Sequence, residues 1–240
     1  MIGIERLADV FVDVADTLVA DFDVIDFLHG VAAHATEMTG AAAAGLMLSD
    51  LDGGLHDMGA SDEGARVLEL FQIQHEEGPC LDCYRSGAPV IEIDLAAASS
   101  RWPAFSQQAL SAGVASVHAF PMRLREQVIG ALNVFGQEPR ALEQDEARVV
   151  QALADLATIA IIQERLIKQA EVLTEQLQFA LNSRVVIEQA KGAVARALGV
   201  TVEEAFTLMR AEGRRRRTRL TDLAHAIVET PEGPQLLRRE

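Results

Sequence analysis

Cysteine is nearly missing from this chain: Cys80 and Cys83 are the only two in 240 residues, so no disulfide framework can hold it together. Long apolar runs are missing too. The longest, about Ala41 to Leu48, falls far short of the ~20 residues that cross a bilayer. The start, Met1-Ile2-Gly3-Ile4-Glu5-Arg6, lacks the basic and apolar segments of a signal peptide. A cytoplasmic protein with no membrane partner is expected. Aromatics make up only 5% of residues, and small aliphatics are plentiful, which favours helix-rich packing. The sequence holds no Gly-rich phosphate loop, metal-binding His-Glu motif, Gly-x-Ser-x-Gly or kinase motif, so no enzyme, catalytic residue or metal centre is expected.

What is present is unevenly charged. The chain carries 21 Lys and Arg against 36 Asp and Glu, a net −15, which argues at first against a nucleic-acid partner. Residues 1–165 hold 9 of the basic and 26 of the acidic residues; residues 166–240 hold 12 and 10. Both lysines, Lys168 and Lys191, fall in the last third. Such asymmetry predicts two modules with different partners.

Apolar spacing predicts the elements. Ile4, Leu7, Phe11, Val14 and Leu18, then Val24, Phe27, Leu28 and Val31, carry a helical period that Gly40 ends. Ala43–Ser49 and Leu55–Ala60 read as a hairpin around a Gly-rich turn, and Val90–Asp94 as a further strand. Val67–Gln74 and Trp102–Ser111 read as helices, and Ser116–Met122 with Gln127–Phe135 as a second hairpin. Neighbouring strands in runs imply an antiparallel sheet with helices packed on it, an α+β fold. From Glu143 there is no glycine until Gly192 and no proline until Pro231. Leu166, Leu173 and Ala180 recur every seventh residue, with Leu177 between, which suits a coiled-coil seam and a homodimer; one capping helix followed by an ordinary helix is the alternative. After Gly192 the elements shorten. Thr201-Val202-Glu203-Glu204 resembles a helix cap, and the tail from Pro231 reads as loose.

Two resemblances rest on particular residues. Ser183-Arg184-Val185-Val186-Ile187-Glu188-Gln189-Ala190-Lys191-Gly192, with Glu203-Glu204-Ala205-Phe206, Leu208-Met209-Arg210 and Leu220-Thr221-Asp222-Leu223-Ala224, resembles ANTAR domains. That resemblance implies a three-helix module that binds paired stem-loops in nascent RNA and prevents transcription termination. Upstream, Glu77-Gly78-Pro79-Cys80-Leu81-Asp82, Arg101-Trp102-Pro103, Gly113-Val114-Ala115-Ser116-Val117, Pro121-Met122 and Ile129-Gly130-Ala131-Leu132-Asn133-Val134 resemble the GAF domains fused to ANTAR in actinobacteria. That resemblance implies a sensory α+β fold that can hold an unidentified small ligand. The boundaries that follow are a GAF-like domain over 1–162, a helical linker or coiled coil over 163–182, an ANTAR module over 183–231 and a flexible tail over 232–240.

The candidate RNA-binding residues are cations and hydrogen-bonding groups beside these motifs. Arg184 and Lys191 lie seven apart on one helical face, Gln189 can meet a base edge, and Arg196 and Arg210 are further candidates. Arg214, Arg215, Arg216 and Arg217, extended by Arg219, form the densest charge and read as an exposed loop between the second and third helices. The bland alternative is a solvated loop. The family often carries a polar residue such as asparagine where Arg217 stands, which favours backbone contact over base reading there. Cys80, Trp102, Phe105 and His118 are candidates to line a GAF ligand cavity; each also reads as plain core. The C-x-x-C admits inert buried thiols, a redox switch or half a metal site. The function that emerges is a signal-responsive antitermination regulator, with an upstream sensor kinase or other regulator as a possible partner. A protein-interaction adaptor without RNA contact is the rival.

Overall fold

The computed structural model describes residues 8–10, 12–14, 23–50, 53–230 and 233–237. Ile4, Leu7, Phe11 and Leu18 of the first helical stretch lie outside them, while residues 8–10 and 12–14 are helical and bury Val10 and Val14. The chain divides into two compact units, Met1–Glu164 and Arg165–Glu240.

The first unit is built on strands β1 (Ala43–Ser49), β2 (Leu55–Ala60), β3 (Val90–Glu92), β4 (Ser116–Leu124) and β5 (Gln127–Gly136). They form one sheet in the order β2-β1-β5-β4-β3, with every neighbouring pair antiparallel. Helix α1 (Val24–Thr39) starts because the Asp23 carboxylate accepts from the amides of Ile25 and Asp26, at 2.7 and 3.2 Å. It stops at Gly40, whose φ of +63° is a left-handed conformation. Three short helices follow: α2 (Glu63–His75), α3 (Pro79–Ser86) and α4 (Pro103–Ser111).

The sheet is covered on both faces, so β1 is buried at every position and reads as a continuous apolar run rather than an alternating one. Ala44, Leu46, Leu48, Phe120, Met122, Leu132 and Val134 face α1 and the first turns of a long helix. Met47, Val117, Ala119, Ala131 and Phe135 face the opposite way, onto residues of α2, α3 and α4. Each fully buried Leu or Phe of these faces stabilises the fold by about 1.5–3 kcal/mol.

That long helix, α5, runs from Gln144 to Leu198 without a break. Gly192 does not end it, contrary to the sequence expectation: the chain turns at Gly199, where φ is +65°. Along α5, Val150, Leu153, Ala154, Ala157 and Ile161 bury into the first core, whereas Leu166, Leu173 and Leu177 are exposed. Val186, Ala190 and Val194 bury again, in a separate core.

That separate core belongs to the second unit. Val186, Ala190 and Val194 recur every fourth residue and meet Ala205 and Met209 of α6 (Val202–Arg216) and Leu223, Ala224 and Ile227 of α7 (Leu220–Glu229). Helix α6 opens with a reciprocal capping box: Glu204 N donates to Thr201 Oγ1 at 3.2 Å, and Thr201 N donates to Glu204 Oε2 at 2.9 Å. The tail is not loose throughout. Gly233–Leu237 forms a 3₁₀ turn, and Leu237 is 7% exposed in the same core.

Helix α6 ends inside the arginine run. Arg214, Arg215 and Arg216 form its last turn, and Arg217 caps it with φ +54°, so the run is a helix terminus rather than the loop expected. Cations suit that end, where the helix dipole is negative. The left-handed cap also gives a backbone reason for asparagine at this position in the family, because Asn and Gly tolerate that conformation better than Arg. Arg217→Gly is expected to raise stability by about 0.5–1 kcal/mol, read as a higher urea midpoint of the C-terminal transition. An unchanged or lowered midpoint would contradict this account of the cap.

Candidate functional sites

In the GAF-like unit, two of the quoted motifs lock onto each other. Asp82 Oδ2 accepts from Arg101 Nη2 at 2.8 Å, Arg101 Nε at 3.2 Å and Trp102 Nε1 at 3.2 Å. The Arg101 guanidinium lies 4.3 Å from the Trp102 ring centre. Glu77 Oε1 accepts from Phe105 N at 2.9 Å and so caps α4. One acidic segment therefore anchors the Arg-Trp-Pro segment through an ion pair and hydrogen bonds. Asp82→Ala is expected to cost about 1–3 kcal/mol, because it leaves the indole N–H without its acceptor. A loss below a few tenths in chemical denaturation would refute that role.

Cys80, Trp102 and Phe105 share one buried cluster, as the cavity expectation requires, but they are packed side by side with Cys83, Leu95 and Val117. His118 does not join them. Strand residues alternate between faces, and Val117 and Ala119 take the α3–α4 side, so His118 lies on the opposite side with Phe120 and Met122. The four candidates therefore cannot line one cavity. Both thiols are buried; burial pushes Cys83 up to about 12 and Cys80 well above the ordinary thiol value. Protonated thiols are poor nucleophiles. Among the described residues no three His, Cys, Asp or Glu side chains group to hold a metal.

A buried polar cluster lies among these apolar residues. In α2 the stripe of buried positions is Ala65, Leu68, Glu69 and Gln72, so half of it is polar. Asn133 Nδ2 of β5 donates to Glu69 Oε1 at 2.7 Å, Gln72 Nε2 approaches Glu69 Oε2 at 3.4 Å, and Cys80 N donates to Gln72 Oε1 at 2.9 Å. Gly45 leaves the room this needs, since a Cβ there would lie 2.6 Å from Glu69 Oε1. Burial raises the Glu69 carboxyl to about 8, opposed by the Asn133 hydrogen bond and reinforced by the charge of Asp57. The folded chain thus holds a proton that the unfolded chain releases near 4.5. Stability from this group is full below the unfolded value and is lost as pH rises toward about 8. In urea titrations between about pH 5 and about pH 9, the wild type should weaken relative to Glu69→Gln as pH rises. Parallel curves would show that Glu69 stays charged.

On the second unit, the cationic residues separate into free and paired groups. Arg184 and Lys191 return to nearly one direction on α5, and Gln189 and Arg196 share another, on either side of the buried Val186–Ala190–Val194 stripe. Lys191 Nζ meets both Glu188 oxygens at 2.9 Å and lies 5.2 Å from the Phe206 ring centre. Arg210 lies 5.8 Å from the same ring. Glu212, pulled down to about 2 by its hydrogen bonds to Arg215 and Arg216, holds Arg215 at 2.6 and 2.8 Å and also binds Arg216 Nε. Arg184, Arg196, Arg214, Arg217 and Arg219 are exposed and have no ion-pair partner among the described residues. The sequence named Asp82 and Asn133 only as members of motifs, without a role, and did not single out Glu69 or Glu212. The polar residues at the buried spacing of α2 were the available signal for the first.

A five-stranded antiparallel sheet with helices on both faces, followed by a separate helical unit, makes this a two-unit protein with an α+β first domain. Residues 23–162 match the GAF domain family and residues 175–228 the ANTAR domain; the chain belongs to the GAF family and carries an ANTAR domain at its C-terminal end. It is a signal-sensing regulator of the ANTAR type. Among solved structures, the GAF domain of a phosphoenolpyruvate-protein phosphotransferase from Coxiella burnetii is 16% identical with a TM-score of 0.53, over 69% of this chain and 98% of that one. The free methionine-R-sulfoxide reductase of Neisseria meningitidis, solved with its substrate, is 20% identical with a TM-score of 0.52, over 68% and 90%. At these identities the likeness is one of fold. No curated protein matches the chain. No helix among the described residues is long and apolar enough to cross a membrane.

Proposed function

We propose that this protein is an RNA-binding antitermination regulator whose GAF unit senses a signal and whose ANTAR unit grips paired RNA stem-loops. It acts by binding rather than by catalysis, in the cytoplasm and as a homodimer. The observation that carries this reading is the set of exposed arginines without internal partners, Arg184, Arg196, Arg214, Arg217 and Arg219, gathered on a small helical unit of a chain whose net charge is −15. Unpaired guanidiniums are available to phosphates, whereas a solvated structural surface in so acidic a chain would pair them internally.

Two copies support the bidentate grip. Leu166, Leu173 and Leu177 are each more than half exposed along α5, at the spacing of a helix–helix seam. Pairing there would present two ANTAR units to two stem-loops and raise avidity without new contacts. One helix contributes to the first core with Val149–Ile161 and to the separate C-terminal core with Val186–Val194, which makes it the route for the sensor's state.

The test is RNA binding by the full chain at near-physiological salt, comparing a two-stem-loop RNA with a single strand of equal length. Stem-loop preference is expected, with affinity falling at least ~10-fold when Arg184, Arg214, Arg217 and Arg219 become Ala, and with a shallower salt dependence. Equal weak binding to both RNAs, unaltered in the variant, would reject the proposal.

A further inference from the structure

The GAF unit has a cleft of about 490 Å³ beside the turn between β4 and β5. Its size falls within the ordinary range for small-molecule sites. It is bounded by the chain just after α3, by the end of β4 and the turn with Arg123, Leu124 and Arg125, and by Gln151, Asp155 and Ile159 of α5. Those three α5 residues recur every fourth position and so share one face of the helix.

The charges around it are unusual in being unpaired. Arg66, Arg101, Arg140 and Arg148 of the same unit each meet a carboxylate. Arg123 and Arg125 meet none among the described residues, although residues 1–165 hold 26 acidic side chains. Asp155 meets no cation among them either. All three residues are exposed, and all three line the cleft. Two guanidiniums and a carboxylate thus share one opening without closing on each other.

Local structure sets each group in place. Gln151 Nε2 donates to Pro121 O at 3.1 Å and to Asp155 Oδ1 at 2.8 Å, which ties the α5 wall to β4 and holds the carboxylate by one oxygen. The β4–β5 register shifts between Met122 and Arg123, and an irregularity of that kind re-aims the side chain beside it. Arg125 sits at φ +56°, a conformation that glycine adopts with less strain. Both backbone irregularities therefore fall on the two cations. Leu124 and Ile159, 41% and 42% exposed, add apolar surface next to the charges.

We infer that this cleft is a site for a small zwitterion, an α-amino acid with an apolar side chain. Its carboxylate meets Arg123 and Arg125, its ammonium meets Asp155, and its side chain rests on Leu124 and Ile159. A plain anion would face Asp155 without a partner for it, and a plain cation would face the two arginines. Only a molecule that carries both charges satisfies all three groups. The site belongs to the GAF unit alone and does not depend on what the C-terminal unit binds.

Calorimetric titration of the full chain with leucine, isocaproate and isoamylamine tests the inference. The second is leucine without its ammonium group, and the third is leucine without its carboxylate. Leucine is expected to bind, and each analogue to bind at least ~10-fold more weakly. Asp155→Asn, which keeps an acceptor for Gln151, should bring leucine and isocaproate to equal affinity. Arg123→Gln combined with Arg125→Gln should bring leucine and isoamylamine to equal affinity. All three positions are exposed, so the variants should keep the wild-type melting temperature. No binding of leucine or phenylalanine, equal binding of leucine and either analogue by the wild type, or a preference that survives its matching variant would each overturn the assignment.

Discussion

A helix cannot bury an apolar stripe against itself, and that constraint organises this chain. Helix α5 runs over the whole stretch Gln144–Leu198, and among the described residues it finds partners at its two ends. Its first turns close one face of the GAF sheet with Val150, Leu153 and Ala157. Its last turns supply one of the three walls of the ANTAR core with Val186, Ala190 and Val194. Between them Leu166, Leu173 and Leu177 remain exposed to water. The two cores therefore share a backbone while sharing no apolar cluster.

The sheet imposes the second constraint. Its strands are covered on both faces, so alternate residues enter different environments that are equally dry. On one side Asp82 and Glu77 fix the Arg-Trp-Pro segment, and Glu69, Asn133 and Gln72 form a buried polar cluster. On the other side His118 supports the connector into α5. The family motifs of this domain thus serve largely as internal fastenings.

Much of this was legible in the sequence, because periodicity and turn residues declare elements locally. The two hairpins, the helix ended by Gly40 and the Thr201 cap with Glu204 all follow from residues close together in the chain. Gly192 misled because an isolated glycine costs a helix little when neighbouring turns are packed; the stop came from the left-handed Gly199. The face of His118 was illegible for a different reason. When both sides of a strand are apolar, no polar alternation marks which residue points where. The pairing of Arg215 and Arg216 with Glu212 was within reach, at helical spacings of three and four, had the run been read as helix rather than loop.

That last pairing has a consequence for the speed and entropy of recognition. A free arginine surrenders up to about 2 kcal/mol of rotamer entropy when it is immobilised on a phosphate. Glu212 takes the Nε edge of both guanidiniums at the terminus of α6. Arg215 and Arg216 are in effect ordered before any encounter, while Arg214, Arg217 and Arg219 are exposed and carry no ion pair among the described residues. One turn of chain thus combines arginines held by an internal carboxylate with arginines that have no such partner, so their entropy cost on meeting any anion differs.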